Sequence, residues 1–268
     1  MTTITWDQMG TRFYENGVSR GVLYGSDGFG VAWNGLTSVE EKNTDSIDPL
    51  YYDGFRYGDL VALGDFEGVL KAFTYPDEFL EHQGILESDS GVYMTSQPKT
   101  RFGLSWRTEI NNDLGQSIGY KIHILYNLLA IPADKEYQTL SLDNEPIEFE
   151  WDLSAIPEEV DGFRPTAYLV IDSRKLDPFL LEDIEGLLYG TETDPPQLPN
   201  LNGLIIFINA WGRFIVTNNG DGSWSATSPL EGVIEMISPE IFAITTDTIT
   251  YLDPNTYEIS SSEQQEIP

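Results

Sequence analysis

Alternation of apolar and polar positions organises most of this chain. PIEFEWDL (Pro146 to Leu153) is the cleanest case. Ile147, Phe149, Trp151 and Leu153 point one way, and Glu148, Glu150 and Asp152 the other. That period of two predicts a half-buried strand. RFGLSWRTEI (Arg101 to Ile110) sets Phe102, Leu104 and Trp106 against Arg101, Ser105 and Arg107. GYKIHILYNLLAIP (Gly119 to Pro132) alternates Tyr120, Ile122, Ile124 and Tyr126 with Lys121, His123 and Leu125. GVLY (Gly21 to Tyr24) and GVAWNGLTSVEE (Gly30 to Glu41) predict two strands around the turn GSDGFG. EGVLKAFTY (Glu67 to Tyr75) predicts a strand closed by Pro76, and TAYLVID (Thr166 to Asp172) a more fully apolar one.

The period changes once to that of a helix, in DPFLLEDIEGLLYG. Asp177 suits an N-cap and Pro178 the first helical position. Leu180, Leu181, Ile184, Leu187 and Leu188 form one stripe, and Gly190 ends the helix in a left-handed conformation.

Two stretches lack a period. Lys42 to Asp65 carries Tyr51, Tyr52, Phe55 and Tyr57 among Asp, Gly and Pro. It reads as a long loop, and such loops are usually functional or disordered. Its aromatics either dock on another subunit or fold back on the protein's own core. TETDPPQLPNLN (Thr191 to Asn202) reads as an extended linker. Beyond it LIIFI, RFIVT, SWSAT, GVIEMI, IFAIT, TITYL and TYEI predict closely spaced short strands, with NNGDG as a hairpin loop.

The predicted fold class is therefore mainly β with one packed α-helix, followed by a small C-terminal all-β domain. Residues 1–190 form the main domain, with an N-terminal arm at 1–20 and the long loop at 42–65. Residues 191–202 form a Pro-rich linker, 203–260 the small β domain, and 261–268 a flexible tail.

Charge narrows the partners. There are 44 acids against 14 bases, a net charge of -30. Such a surface repels nucleic acid, whose phosphates need Lys and Arg. It suits a protein that DNA passes without sticking, and equally a halophilic or calcium-rich setting. There is no cysteine, which excludes disulfides, thiolate zinc sites and cysteine nucleophiles. MTTITWDQMG lacks the marks of a secretory signal. LYNLLAI and GLIIFI are too short to span a membrane, so a soluble protein made in a cytoplasm is expected.

Candidate chemistry is sparse. TYPDEFLEHQG (Thr74 to Gly84) gathers Asp77, Glu78, Glu81 and His82, one of only two histidines. It reads as a strand exit and helical corner, anchored by Phe79 and Leu80, rather than as an active site. His123 reads as a strand-face histidine. Glu148 and Glu150 resemble a glycosidase pair only in being two acids on one strand face. No hydrolase, zinc-protease, nucleotide or EF-hand motif is present.

An ordered set of segments carries a resemblance. It comprises RFYENGVSRGVLY, GVAWNGLTSV, TYPDEF, FGLSWRTEINND, GYKIHILYN, FEW, PTAYLVIDS and the helix ending LLYG. Together they resemble the major tail proteins, or tail tube subunits, of long-tailed non-contractile bacteriophages, over roughly the first two hundred residues. The resemblance implies a tail-tube fold of two packed antiparallel sheets, six copies of which join into a β-barrel ring. Stacked rings form a tube for genome ejection. It implies no catalytic residue and no cofactor. The implied partners are further copies of the chain, a tape measure protein, tail tip or baseplate proteins and a tail terminator. DNA passes through without specific binding, no membrane is involved, and the location is the virion, assembled in the host cytoplasm. On this reading Phe13 and Tyr14 of the arm and Tyr51, Tyr52, Phe55 and Tyr57 of the loop are candidate inter-ring contacts. Glu148, Glu150 and Asp152 are candidate lumen acids. The competing reading is an acidic carbohydrate-binding or adhesion protein, with a glycoside hydrolase third.

Overall fold

A computed structural model describes residues 3–42, 44–137, 146–211, 213–218, 224–228, 232–235, 248–253 and 256–260. The chain divides into two units, Met1–Leu176 with Asp183–Leu201, and Asp177–Glu182 with Asn202–Pro268. The strands of the first unit are β1 (Phe13–Tyr24), β2 (Gly30–Trp33), β3 (Leu36–Lys42), β4 (Ser46–Tyr52), β5 (Phe55–Ala62), β6 (Glu67–Ala72), β7 (Leu86–Asp89), β8 (Val92–Met94), β9 (Phe102–Asn112), β10 (Ser117–Pro132), β11 (Phe149–Ala155) and β12 (Tyr168–Asp172). Helices α1 (Pro178–Tyr189) and α2 (Leu201–Ala210) follow. Neither helix is long and apolar enough to cross a membrane.

Two packed sheets are expected, but the first unit holds one antiparallel sheet of eight strands. Its order is β2-β1-β9-β10-β11-β6-β3, with β12 also on β10. The long β10 is its spine. β9 runs along one edge, while the other edge is shared by β12, at Lys121 to Leu125, and β11, at Leu128 to Pro132. Asn127 marks the change of partner. It has φ +52°, a region that asparagine tolerates better than most residues. Its side chain donates to Glu158 Oε1 at 2.7 Å, and its carbonyl accepts from Arg101 Nη1 at 2.5 Å.

The sheet folds over on itself around one aromatic core. Trp33 of β2 and Trp151 of β11 lie far apart in strand order, yet their rings meet edge to face at 5.8 Å. Leu23, Leu70, Phe102, Leu104, Leu125, Leu128 and Leu153 fill the same core. The ends of the sheet are linked through the chain itself. GVAWNGLTSVEE is not one strand but two, β2 and β3, which sit at opposite ends of the order. Asn34–Gly35 carries the chain across. Gly35 has φ +84°, and its carbonyl accepts from Phe73 N–H at 2.9 Å. A Cβ there would lie 2.6 Å from Thr74 Cγ2, so glycine is required twice over. No strand pairing joins β2 to β3 among the described residues, and no closed barrel forms.

The strand interiors follow the alternation. Trp151, Leu153 and Ala155 are buried while Asp152 and Ser154 are exposed. The other face of the β1–β9–β10 region is covered by the second half of α1, where Ile184 and Leu188 are buried. Tyr24 O–H donates to Leu188 O at 2.8 Å. Both helix ends are as expected: Asp177 Oδ1 accepts from Phe179 N–H at 2.9 Å, and Gly190 has φ +82°. The stripe is narrower than expected, because Leu187 is exposed.

TYPDEFLEHQG forms two 3₁₀ turns, Asp77–Phe79 and Glu81–Gln83. Phe79 is buried against Trp33 (4.5 Å), Trp151 (5.1 Å) and Phe102 (5.3 Å). The corner reading therefore holds, though Leu80 is only half-buried.

A second helix is a departure from the single one expected. LIIFI belongs to α2, not to a strand. The run LNGLIIFINA is apolar almost throughout, so it has no period of two or 3.6 with which to declare itself. The remaining predicted strands are present as β13 (Arg213–Asn218), β14 (Trp224–Ser228), β15 (Gly232–Glu235), β16 (Thr248–Asp253) and β17 (Thr256–Ser260). They form an antiparallel sheet of order β15-β14-β13-β17-β16 in the second unit. IFAIT, residues 219–222 of the NNGDG loop, and the tail at 261–268 lie outside the described residues.

Candidate assembly surfaces

The segment expected to be a loop at 42–65 is a β-hairpin, β4 on β5. Tyr52 faces Phe55 across Asp53–Gly54, whose φ values are +48° and +81°. A two-residue turn with both φ positive matches the twist of paired strands, and Asp-Gly is among its preferred sequences. Irregular composition concealed the hairpin, because Pro49 and Gly58 interrupt the alternation. Its base is tied by Thr44 O–H to Asp65 O (2.6 Å) and Gly64 N–H to Asp45 Oδ1 (2.9 Å).

The hairpin forms its own two-stranded sheet, separate from the eight strands. Cross-strand pairing puts Ile47 with Val61 and Tyr52 with Phe55. Along β4, Ile47 and Tyr51 lie on one face and Leu50 and Tyr52 on the other, a β-bulge opposite Leu50/Tyr51 keeping Val61 beside Ile47 and Phe55 beside Tyr52. Both faces are thus apolar, and both are exposed: Phe55 is 79% and Tyr57 80% accessible. The alternative of a loop folded back on its own core does not apply within this unit. A lone two-stranded hairpin is marginal in water, and so many exposed apolar side chains together are uncommon on the surface of a monomer.

The arm is shorter than expected. Phe13 and Tyr14 already belong to β1, opposite Asn112 and Asn111 of β9. They are about half exposed, and Arg174 lies over the Phe13 ring at 5.6 Å. Ahead of them Trp6 and Met9 are exposed. Arg12 holds the β9–β10 turn through Asp113 at 3.0 Å, and Gly10 N–H donates to the same carboxylate.

Sequence reading missed a second free hairpin, β7 on β8, which exposes Val92, Tyr93 and Met94. Its signal was the Asp-Ser-Gly between two short apolar-polar runs.

Glu150 and Asp152 share one face of β11 and Glu148 lies just ahead of the strand, but the three are not alone. Glu150 pairs with Lys71 (2.8 Å), Asp152 with Lys42 (2.9 Å), and Glu148 accepts from Thr37 O–H (2.7 Å). Cross-strand register adds Glu40 and Glu67 to this surface. The two lysines stand among five carboxylates. Hydrogen bonds to Asp152 and Glu150, and then the surrounding negative field, raise the Lys42 and Lys71 pKa values.

The open sheet edges are a further surface. Among the described residues β3 pairs only with β6, β12 only with β10, and Phe13 to Ser19 only with β9. Such edges present unpaired backbone groups ready to bind another strand.

The acids of the corner do not converge. His82 is fully buried, with Nδ1 2.7 Å from Thr100 Oγ1, and burial lowers its pKa. Glu81 Oε1 stands 3.7 Å from its Nε2, while Asp77 and Glu78 are exposed. Among the described residues no three metal-ligating side chains gather. His123 is 7% exposed and stacks on Trp106 with ring centroids 5.0 Å apart.

No family model matches the chain, and no curated protein matches it. Among solved structures it is similar to a chain of the anti-feeding prophage baseplate, at 12% identity over 66% of this chain and 100% of that one, with a TM-score of 0.31. It is similar to a chain of the anti-feeding prophage tube-terminating cap, at 11% identity over 64% and 96%, with a TM-score of 0.29. It is also similar to a chain of the PVC extracellular contractile injection system sheath-tube complex, at 12% identity over 57% and 88%, with a TM-score of 0.29.

Proposed function

We propose that the chain is a structural subunit of a phage tail tube, which associates with copies of itself into rings and stacks those rings into a channel. The observation that carries this reading is the β4–β5 hairpin, apolar on both faces and exposed along its length. In isolation it is a solubility hazard; against a neighbouring ring it becomes an interface. Tyr51, Tyr52, Phe55 and Tyr57 make that contact, with Phe13 and Tyr14 as a second point. The ordered tail-tube segments of the sequence and the open edges of β1, β3 and β12 support the same reading. Edge joining between copies completes a barrel that one chain leaves open. The acid-rich outward surface of β11, β6 and β3 lines or rims the channel, where excess carboxylates repel the DNA that slides past. A tape measure protein, a tail tip and a terminator are the further partners, and the virion is the location.

The net charge of -30 opposes association of subunits and delays polymerisation until a nucleus is present. Salt screens that repulsion within about 10 Å at 0.1 M ionic strength. The test is negative-stain electron microscopy of the purified chain across a salt series. Rings or hollow tubes that increase with salt are expected. Monomers at every ionic strength overturn the reading.

A further inference from the structure

A cavity of about 450 Å³ opens in the first unit between the middle of β1, the strand β2 with its crossing to β3, and Tyr189 at the end of α1. Val18, Val22, Leu36 and Pro196 supply apolar wall, and Arg20 and Tyr189 also line it.

Arg20 is held there by a strained backbone. Ser19 stands opposite Arg107 of β9 and Val22 opposite Ser105, so Arg20 and Gly21 together face the single Trp106. Such a bulge re-aims a side chain. Arg20 within it has φ +49°, a left-handed value that is costly for a residue with a Cβ. Strain of this kind clusters at binding and switch sites. No polar contact within the chain explains it. Arg20 is exposed, and among the described residues it makes no hydrogen bond and no ion pair, in a chain of 44 acids and 14 bases.

The local charge is the reverse of the whole. Burial raises the pKa values of Tyr120 and Tyr189, and the charged groups that act on both phenols are Glu185, Arg107 and Arg20. Glu185 is already engaged by Arg107 and Tyr120. Two guanidiniums against one carboxylate leave this corner with one positive charge in excess.

That excess defines the ligand. One negative charge neutralises it, while a second meets the repulsion of a chain at -30 with nothing to offset it. A carboxylate matches the planar fork of a guanidinium. The cavity is larger than a carboxylate and walled in part by aliphatic side chains, so the rest of the ligand is apolar. We propose that this cavity binds a monocarboxylate carried on an aromatic or aliphatic body, with Arg20 as its anchor. Two sources have that chemistry. One is a free organic acid. The other is an aspartate flanked by aromatic rings, as in Tyr52-Asp53-Gly54-Phe55 of a second copy. The site does not depend on the assembly reading, because binding is measured on the unassembled chain.

The test titrates the full-length ¹⁵N-labelled chain at low salt with 3-phenylpropanoate, and with uncharged 3-phenylpropanamide as control. Amide shifts are expected at Ser19, Gly21 and Gly35, and calorimetry is expected to find the acid about tenfold tighter than the amide. Added salt weakens the acid and not the amide. The peptide acetyl-Tyr-Asp-Gly-Phe-amide, with Asn in place of Asp as control, separates the sources. Tighter binding than phenylpropanoate assigns the cavity to a second copy; otherwise it takes a free acid. Arg20→Gln is expected to lose about tenfold in affinity for the acid. Arg20→Gly loses the acid as well but relieves the backbone, so it unfolds at no lower urea concentration than the parent. An arginine kept for the fold alone would instead lower that midpoint. Equal affinity for acid and amide, undiminished binding by Arg20→Gln, or no shift at the cavity overturns the proposal.

Discussion

Arg107 lies flat over Tyr120, its guanidinium carbon 3.2 Å from the ring centroid. Both side chains then converge on Glu185 Oε1 of α1, Arg107 Nη1 at 3.2 Å and Tyr120 O–H at 2.7 Å. Burial, then the Glu185 hydrogen bond, pushes the Tyr120 phenol up to about 12. The arrangement fastens the helix to the sheet. Glu185→Ala strips a nearly buried guanidinium of its counter-charge and is expected to cost about 3 kcal/mol. Glu185→Gln keeps an acceptor and loses less. Urea unfolding midpoints of the two variants check the difference.

Phe79 brings the TYPDEF corner into the core, in contact with Trp33, Trp151 and Phe102. Phe79→Ala is expected to lose about 3–5 kcal/mol, because the ring leaves a cavity among three rigid neighbours. Calorimetry or chemical denaturation measures it. An exposed neighbour such as Glu78, changed to Ala, stays within about 0.5 kcal/mol.

Gly35 turns the chain from one end of the sheet to the other at φ +84°. Gly35→Ala imposes the left-handed penalty and a 2.6 Å approach to Thr74 Cγ2. A loss of about 2 kcal/mol or more is expected. An unchanged melting temperature counts against Asn34–Gly35 as a fixed crossing.

On the proposed tail-tube reading the β4–β5 hairpin serves association rather than folding. Phe55→Ser with Tyr57→Ser changes stability by no more than about 0.5 kcal/mol, since neither ring enters the core. Tubes or rings are expected to disappear in the same variant. Sedimentation velocity and electron microscopy read the two effects independently.

His82 makes stability fall in mild acid. Burial lowers its folded pKa from the ordinary 6.5, so below that value the unfolded chain binds a proton that the native state refuses. Stability is then full above the unfolded pKa and declines as pH drops toward the folded one. His82→Gln is expected to flatten the slope of unfolding free energy just below pH 6.5 relative to the parent. Equal slopes in parent and variant contradict this.

Much of the fold was legible because its causes are local. The period of two in PIEFEWDL chose the buried side of β11, since successive Cβ atoms alternate across any strand. Asp177 and Gly190 set the ends of α1 through capping and a left-handed residue, which need no distant partner. Where local signal was absent, reading failed. The uniformly apolar LIIFI has no period, and the interrupted pattern of β4 and β5 hid a hairpin that the Asp-Gly turn alone announced.

What sequence determined, then, is which residues seek burial, where the helix α1 begins and ends, and how negative the surface is, all properties of composition and of neighbours a few residues apart. Only tertiary structure decided that β2 and β3 part to opposite ends of one sheet, that the β4–β5 hairpin stands clear of the core, and that the β11 acids share their surface with Lys42 and Lys71. It likewise brought Arg20 of β1 and Tyr189 of α1 to one cavity. These depend on strand pairing between distant segments, and the choice of pairing partner is set by the packing of the whole core rather than by any local pattern.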